Sequence, residues 1–358
     1  MKKTQAAVLQ SDGSTPLVEV PLPERGPGDL LVRLRACGVC TGEAMQWYVK
    51  TKKSSVLGHE IVAEVINGGE EHGLKTGDRI FPHHHAPCGT CEACMAGYET
   101  SCESWKKSSL VPGGYAREFI VPSWNARYDT SKIPETLSDE AAIFIEPVAC
   151  VVRALHRAMG TRPDSDIGLS FPDGGRVFRR IALVGLGFMG QLSALLLRRR
   201  FSDAKITATD FLSKRREEGL ELGLKSVLDA ADPDLRNSIS RELDGEADLV
   251  FVCPSSVRAI EQGLDLAGHG AKVLLFAPTP VGQKTNVDFN RLYFREVEIA
   301  SSYSCGPGDV TEAILWCQSL APLLESMISH RLSLSDVGEA LKHIGEQDPL
   351  WRKAIIVP

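Results

Sequence analysis

Two hydrophobic rhythms divide the chain. Up to about residue 150, apolar and polar positions alternate in short runs broken by Gly and Pro, as in DLLVRLRACGVC, IVAEVINGG, DRIFPHHHAPCG and YAREFIVPSWN. Period-two alternation predicts β-strands joined by turns. Through DEAAIFIEPVACVVRALHRAMG the apolar residues recur at helical spacing, and after it the pattern changes. RRIALVG, KITATD, ADLVFVCP and AKVLLFAP are continuous apolar runs, as strands covered on both faces are, separated by segments long enough for crossover helices. These rhythms predict an α/β protein: a β-rich domain over 1–155, a doubly wound parallel-sheet domain over 156–290, and a C-terminal segment over 291–358. In that last segment VEIASSYSCGPGDVTEAILW reads as strand, turn and a helix starting near Asp309. A polar connection, TRPDSDIGLSFPDGGRVF, joins the two halves and is longer than such a boundary needs. The length of 358 residues also exceeds what one core usually serves.

Composition narrows the functions. A net charge of -6 gives no electrostatic reason to expect nucleic acid or an anionic membrane as partner, so a small molecule is the expected one. The apolar stretch IALVGLGFMGQLSALLL has three glycines and falls short of the ~20 residues a membrane span needs. The first ten residues lack the apolar core of a signal peptide, so the ten cysteines are expected as reduced thiols in the cytoplasm.

VGLGFMG follows one apolar strand and opens a helix, placing Gly185, Gly187 and Gly190 in G-x-G-x-x-G order. The first glycine serves the tight turn, the second the approach of a pyrophosphate and the third close helix–strand packing, with Phe188 and Met189 at the helix start. Asp210 ends the next strand, twenty residues beyond Gly190, where a carboxylate accepts hydrogen bonds from an adenosine ribose and repels a 2'-phosphate. NAD is therefore expected ahead of NADP. Lys214, Arg215 and Arg216 follow; they either reach a phosphate or form a solvated helix face.

Cys88, Cys91, Cys94 and Cys102 are spaced C-x2-C-x2-C-x7-C. Four thiolates from one loop saturate a tetrahedral zinc and make a structural site, an iron–sulfur cluster being the competing occupant. Cys40 lies nineteen residues before His59, and Glu60 follows directly. A thiolate, an imidazole and a carboxylate would leave one zinc position open for chemistry, although spacing alone does not bring them together. Cys37, Cys253 and Cys317 read as core, Cys150 and His156 as packed on their helix, and the triplet His83 to His85 as one buried and two exposed rings.

Taken together, CGVC, GHE, the four-cysteine lobe, GGYAREFIVP, EPVAC and GLGFMG resemble the zinc-dependent medium-chain alcohol and polyol dehydrogenases, in the family's order and over nearly the whole chain. The resemblance implies a GroES-like catalytic domain interrupted by a Rossmann domain, with the last segment returning to the first. It implies a catalytic zinc on Cys40 and His59, with Glu146 of EPVAC as third ligand or water-bridged carboxylate and Glu60 as a group that tunes or temporarily joins the site. It also implies a second, structural zinc in the lobe, NAD as cofactor, and a homodimer or homotetramer; the apolar strands VLLFAP and IASSYS are candidates for its interface.

Two features depart from that family. The hydroxyl residue that commonly starts a proton relay is replaced by Gly42, and Glu43 stands where an Asp is usual, so Thr41, Tyr48 or Glu43 with water is expected to replace the relay. Trp47 and Tyr48 make either an aromatic pocket wall or core. The expected activity is NAD-dependent oxidation of a secondary alcohol or polyol to the ketone. A threonine-type amino-alcohol dehydrogenase, a reductase or cyclising enzyme of the same fold, and a non-catalytic nucleotide-binding thiol sensor are the alternatives.

Overall fold

A computed structural model describes residues 2–50, 54–162 and 175–358. Most of the long polar connection, residues 163–174, lies outside the described residues. The chain forms two compact units, Met1–Ala149 with Cys305–Pro358, and Cys150–Ser304.

The first unit opens with strands β1 (Lys3–Ala7), β2 (Leu17–Pro21), β3 (Leu30–Gly38), β4 (Glu60–Asn67), β5 (Arg79–Pro82), β6 (Glu118–Val121) and β7 (Thr130–Lys132). In β3 the alternation does what the pattern requires: Leu30, Val32 and Leu34 are buried while Arg33 and Arg35 face solvent. Their partners in the core are Ile61, Ala63 and Val65 of β4, with Ile80 and Phe119. Fully burying side chains of this size contributes about 1.5–3 kcal/mol each.

The second unit holds β8 (Arg180–Val184), β9 (Lys205–Asp210), β10 (Ser226–Asp229), β11 (Ala247–Val252), β12 (Ala267–Leu275) and β13 (Glu298–Ser301). They form one sheet in the order β10-β9-β8-β11-β12-β13, every pairing parallel. The order reverses at β8, and the crevice at the carboxyl ends of β8 and β11 is where such sheets bind ligands. β8, β9, β11 and β12 fall on the four apolar runs; β10, only four residues long and half-buried, carries too short a pattern to be read.

The chain then returns to the first unit through the helix Pro307–Ser326 and the strands β14 (His330–Leu332) and β15 (Ala354–Ile356). β15 pairs antiparallel with β3, completing the order β14-β15-β3-β4-β5-β7, with β6 on β3.

Three boundaries differ from those expected. Glu298–Ser301 pairs with Lys272–Leu275, so the nucleotide sheet continues past residue 290 and the return begins at Cys305. The first unit ends at Ala149 rather than 155, inside a helix. The helical stretch around EPVAC is two helices, Asp139–Ala142 and Ile145–Met159. Pro147 lacks an N–H and fits only a first turn, so the second helix has to restart just before it. The hydroxyl of Ser138 caps the first by accepting from the Ala141 N–H at 3.0 Å.

Candidate functional site

Strand register assembles what sequence spacing leaves open. β3 and β4 are antiparallel with Gly38 opposite Glu60, so the turn leaving β3 faces the residue entering β4. Cys40 caps the short helical turn Thr41–Ala44, its thiol accepting from the Gly42 N–H at 3.4 Å. A thiol sulfur of Cys40, a ring nitrogen of His59 and a carboxylate oxygen of Glu60 thereby lie within 4.8 Å of one another.

Each member is held from behind. Glu43 is buried, and its Oε1 accepts from His59 Nδ1 at 2.9 Å and from the Gly58 N–H at 2.7 Å, while Oε2 accepts from the Tyr115 hydroxyl at 2.6 Å. With Nδ1 so engaged, Nε2 of His59 is the nitrogen left for a metal. Burial pushes Glu43 up, but His59, Tyr115 and the Gly58 N–H outweigh it and hold the carboxyl below its usual range. Burial likewise pushes the His59 ring down, and Glu43 and Cys40 more than reverse this. Tyr115 is driven well up, by burial first and then Glu43, so it stays a phenol and donates.

Glu60 is ion-paired through Oε2 to Lys353, and both side chains are 1% exposed. Lys353 also donates to the Val39 carbonyl at 3.1 Å. Burial raises the Glu60 carboxyl above its usual value, Glu146 adds to that rise, and Lys353 opposes it. A Cβ at Gly38 would collide with Oε2 of Glu60 and come within 3.0 Å of the Lys353 chain, so only glycine leaves room for this pair.

Glu43 is buried, and both of its oxygens accept hydrogen bonds from neighbours. Thr41 is exposed, and Tyr48 is half-buried, its ring edge 4.0 Å from where a Cβ on Gly42 would stand. Glu146 is buried in the first turn of its helix, and its carboxylate converges within 4.8 Å of His83 Nε2 or Nδ1 and Cys305 Sγ rather than joining the Cys40 group. Of the histidine triplet, His83 is fully buried and His84 and His85 are half-buried; His84 packs against the His59 ring at 5.0 Å between centroids. Cys37 and Cys317 are core, as expected, and Cys253 and Cys150 are partly buried. His156 is packed, its Nδ1 2.8 Å from the Thr161 hydroxyl. Lys353 and Cys305 escaped sequence reasoning, since neither sits in a local pattern of ligand-type residues.

In the lobe, the four thiols of Cys88, Cys91, Cys94 and Cys102 lie within 4.8 Å of one another, with sulfur–sulfur distances of 3.5, 3.6 and 4.0 Å. Tetrahedral ligands about 2.3 Å from one zinc stand about 3.8 Å apart. Sulfurs at this spacing suit a single tetrahedral ion better than a cluster whose cysteines sit on different irons. Backbone N–H groups point at the sulfurs, Cys91 N to Cys88 at 3.3 Å and Cys88 N to Cys102 at 3.4 Å. N–H donors from Thr90 and Cys91 pull the Cys88 thiol down to about 6, whereas burial pushes Cys94 up to about 12.

In the second unit, Gly185 has φ +86°, a conformation that glycine adopts freely. Gly187 caps the helix Phe188–Arg200. A Cβ on Gly190 would strike the Gly185 carbonyl oxygen and lie 2.9 Å from its carbon, so the third glycine closes the turn onto the helix. Phe188 and Met189 lie in the first turn of that helix. Asp210 ends β9 and is buried, accepting from Leu186 N at 2.8 Å and Leu212 N at 2.9 Å. Arg215 stands 3.9 Å from the same carboxylate, and Arg216 is taken by the Asp210 and Phe211 carbonyls and by Asp229. Gly190→Ala is expected to weaken dinucleotide binding at least tenfold, because the clash is with backbone and the turn must open; equilibrium binding of NAD followed by fluorescence checks it.

Residues 26–134 match the family model of the alcohol dehydrogenase GroES-like domain, and residues 189–319 that of the zinc-binding dehydrogenases. L-threonine 3-dehydrogenase of Escherichia coli K12 is 26% identical over 344 residues, 92% of each chain. A Sinorhizobium meliloti 1021 protein named as a zinc-binding dehydrogenase, and solved with NADP, superposes with TM-score 0.82 at 25% identity over 100% of both chains. An alcohol dehydrogenase of Thermotoga maritima has the same fold, with TM-score 0.83, 18% identity and 100% coverage of both. The α/β chain, a GroES-like unit with a Rossmann-like parallel sheet, belongs to the zinc-dependent medium-chain dehydrogenase/reductase family.

Proposed function

We propose that the chain catalyses reversible, zinc-dependent hydride transfer between NAD and the carbinol carbon of a secondary alcohol or polyol, giving the ketone. The observation that carries this reading is the convergence of Cys40, His59 and Glu60, with His59 oriented by Glu43. A thiolate, an imidazole and a carboxylate are donors suited to zinc, and three protein ligands leave one position open. The turn at Gly185, Gly187 and Gly190 equally suits a pyrophosphate, since the third glycine admits no Cβ. When bound, zinc supplies Lewis-acid polarisation of the substrate hydroxyl and the nicotinamide takes the hydride. The protein's part is orientation: Glu43 fixes the His59 ring, and Lys353 holds the Glu60 carboxylate through Oε2. Cys88, Cys91, Cys94 and Cys102 hold a second zinc that is structural.

NAD is proposed over NADP because Asp210 places a buried carboxylate at the end of β9, where a 2'-phosphate would meet like charge. The NADP found with the S. meliloti relative makes this a point to test. Wild-type protein is expected to favour NAD at least about tenfold in kcat/KM, about 1.4 kcal/mol. Asp210→Asn, which keeps an acceptor for Leu186, should narrow that ratio; Arg215 then helps the phosphate. An unchanged ratio would remove Asp210 as its cause.

A second copy is the proposed partner. β13 is an edge strand, and Phe289, Tyr293 and Phe294 beside it are 75%, 77% and 70% exposed, while β12 is paired on both sides and unavailable. Sedimentation is expected to show a dimer or tetramer that Tyr293→Asp with Phe294→Asp splits.

The test of the activity is NADH formation by the zinc-loaded chain across secondary alcohols, vicinal diols, sugar alcohols, cyclitols and L-threonine. Turnover of alcohols or polyols supports the reading. Turnover confined to L-threonine favours the amino-alcohol reading suggested by the E. coli relative. Silence across the panel, with NAD bound, would overturn both and leave the sensor reading.

A further inference from the structure

One group of buried ligand-type side chains is left over when the Cys40 group and the lobe have been assigned. His83, Glu146 and Cys305 are 0%, 6% and 0% exposed, and one nitrogen, one oxygen and one sulfur from them lie within 4.8 Å of each other. We propose that these three residues form a further metal-binding site of the zinc class, separate from both sites above.

The distances fit an ion. With zinc bonds of about 2.3 Å to sulfur and about 2.0–2.1 Å to nitrogen at tetrahedral angles, the two ligands stand about 3.6 Å apart. Cys305 Sγ and His83 Nε2 are 3.7 Å apart. The same yardstick describes the sulfurs of the lobe. A metal-bound imidazole typically gives its other nitrogen to a carboxylate, and His83 Nδ1 lies 2.6 Å from Asp129 Oδ2. The His83 backbone is also tied on both sides: its N–H donates to the Asp129 carbonyl at 3.0 Å, and its carbonyl accepts from Asn125 Nδ2 at 3.0 Å. A ring so fixed presents Nε2 in one direction.

Helix geometry prepares the other two donors. Cys305 directly precedes Gly306, which caps the twenty-residue helix Pro307–Ser326 with Asp309 accepting from the Gly306 N–H at 2.8 Å. The positive end of a helix favours thiolate, the ligand form of cysteine. Glu146 sits in the first turn of Ile145–Met159, at another positive end. Taking a carboxylate, an imidazole and a thiol out of water together is costly unless they are paired or share a cation. Three protein donors of mixed type leave a fourth tetrahedral position, as in open zinc sites.

The full chain is loaded with excess Zn(II) or, separately, Co(II), desalted, and its metal counted per chain by mass spectrometry. Cys305→Ser and His83→Gln are each expected to lose one equivalent relative to wild type, and the Co(II) form of Cys305→Ser to lose thiolate charge-transfer absorption. Cys305→Asp, which restores a donor, should recover the equivalent and so separates loss of a ligand from loss of fold. Cys40→Ser combined with Cys305→Ser should lose two. Folded Cys305→Ser and His83→Gln with wild-type metal content would overturn the site, as would a double variant that loses only one. A count that falls in Cys305→Ser but not in Cys40→Ser sustains this site and instead sinks the assignment of Cys40.

Discussion

His59→Ala is expected to lower kcat/KM by at least about a thousandfold, about 4 kcal/mol of transition-state stabilisation, and to remove one metal equivalent per chain. The ring would supply one of the three proposed donors, and the carboxylate behind it, Glu43, stays committed to Gly58 and Tyr115 once His59 is gone. Glu43→Gln tests the same geometry more gently. Glutamine keeps an acceptor for His59 but drops the charge that holds the ring, and loss of an outer partner of this kind typically lowers metal affinity or activity about 10–100-fold. NAD binding by the second unit should be unchanged in both, since the glycine turn and Asp210 belong to another core. Initial rates, metal content and NAD titration on the same preparations give the answer. Turnover of His59→Ala within tenfold of wild type would mean that the reaction does not use this cluster.

How much was readable follows from how far apart in sequence the cooperating atoms lie. The glycine turn is legible because its three glycines and the strand before them answer to local backbone geometry: a positive φ at Gly185 and a missing Cβ at Gly190. The lobe is legible because all four thiols come from fifteen residues, 88–102. Cys40 and His59 were visible only as candidates, since joining them takes the β3–β4 register that sets Gly38 against Glu60, and register depends on the whole hydrophobic face of both strands.

Lys353 lay out of reach. It meets Glu60 across 293 residues because β15 returns to pair with β3, and nothing in RKAIIVP distinguishes a buried cation from a surface lysine beside a strand. Cys305 and His83 are 222 residues apart for the same kind of reason. Glu146 shows the converse limit. Its motif was legible, but the side chain's neighbours were set by tertiary packing, which grouped it with His83 and Cys305.

Removing the lobe metal is expected to loosen residues 88–107 without dissolving either core. Cys102→Ser takes away a buried ligand on which the Cys88 N–H also converges, and it leaves three thiols crowded within a few ångströms with no cation among them. Apart from its cysteines, the lobe's buried core is Trp105, and its helices Glu92–Met95 and Glu103–Lys107 are four and five residues long. Helices so short are not stable alone, so the proposed ion would be what orders them. In small zinc modules binding supplies apparent free energies of about 10–16 kcal/mol. Here the rest of the first unit has its own core, so the expected cost is nearer the upper range for a single substitution, about 3–5 kcal/mol. Limited proteolysis should cut the variant first between 88 and 107, thermal unfolding should shift down, and far-ultraviolet dichroism should change little. Chelation of the wild type should reproduce the cleavage pattern. A variant that has lost the metal yet resists the protease at wild-type level would show that packing around Trp105, rather than the ion, holds the lobe together.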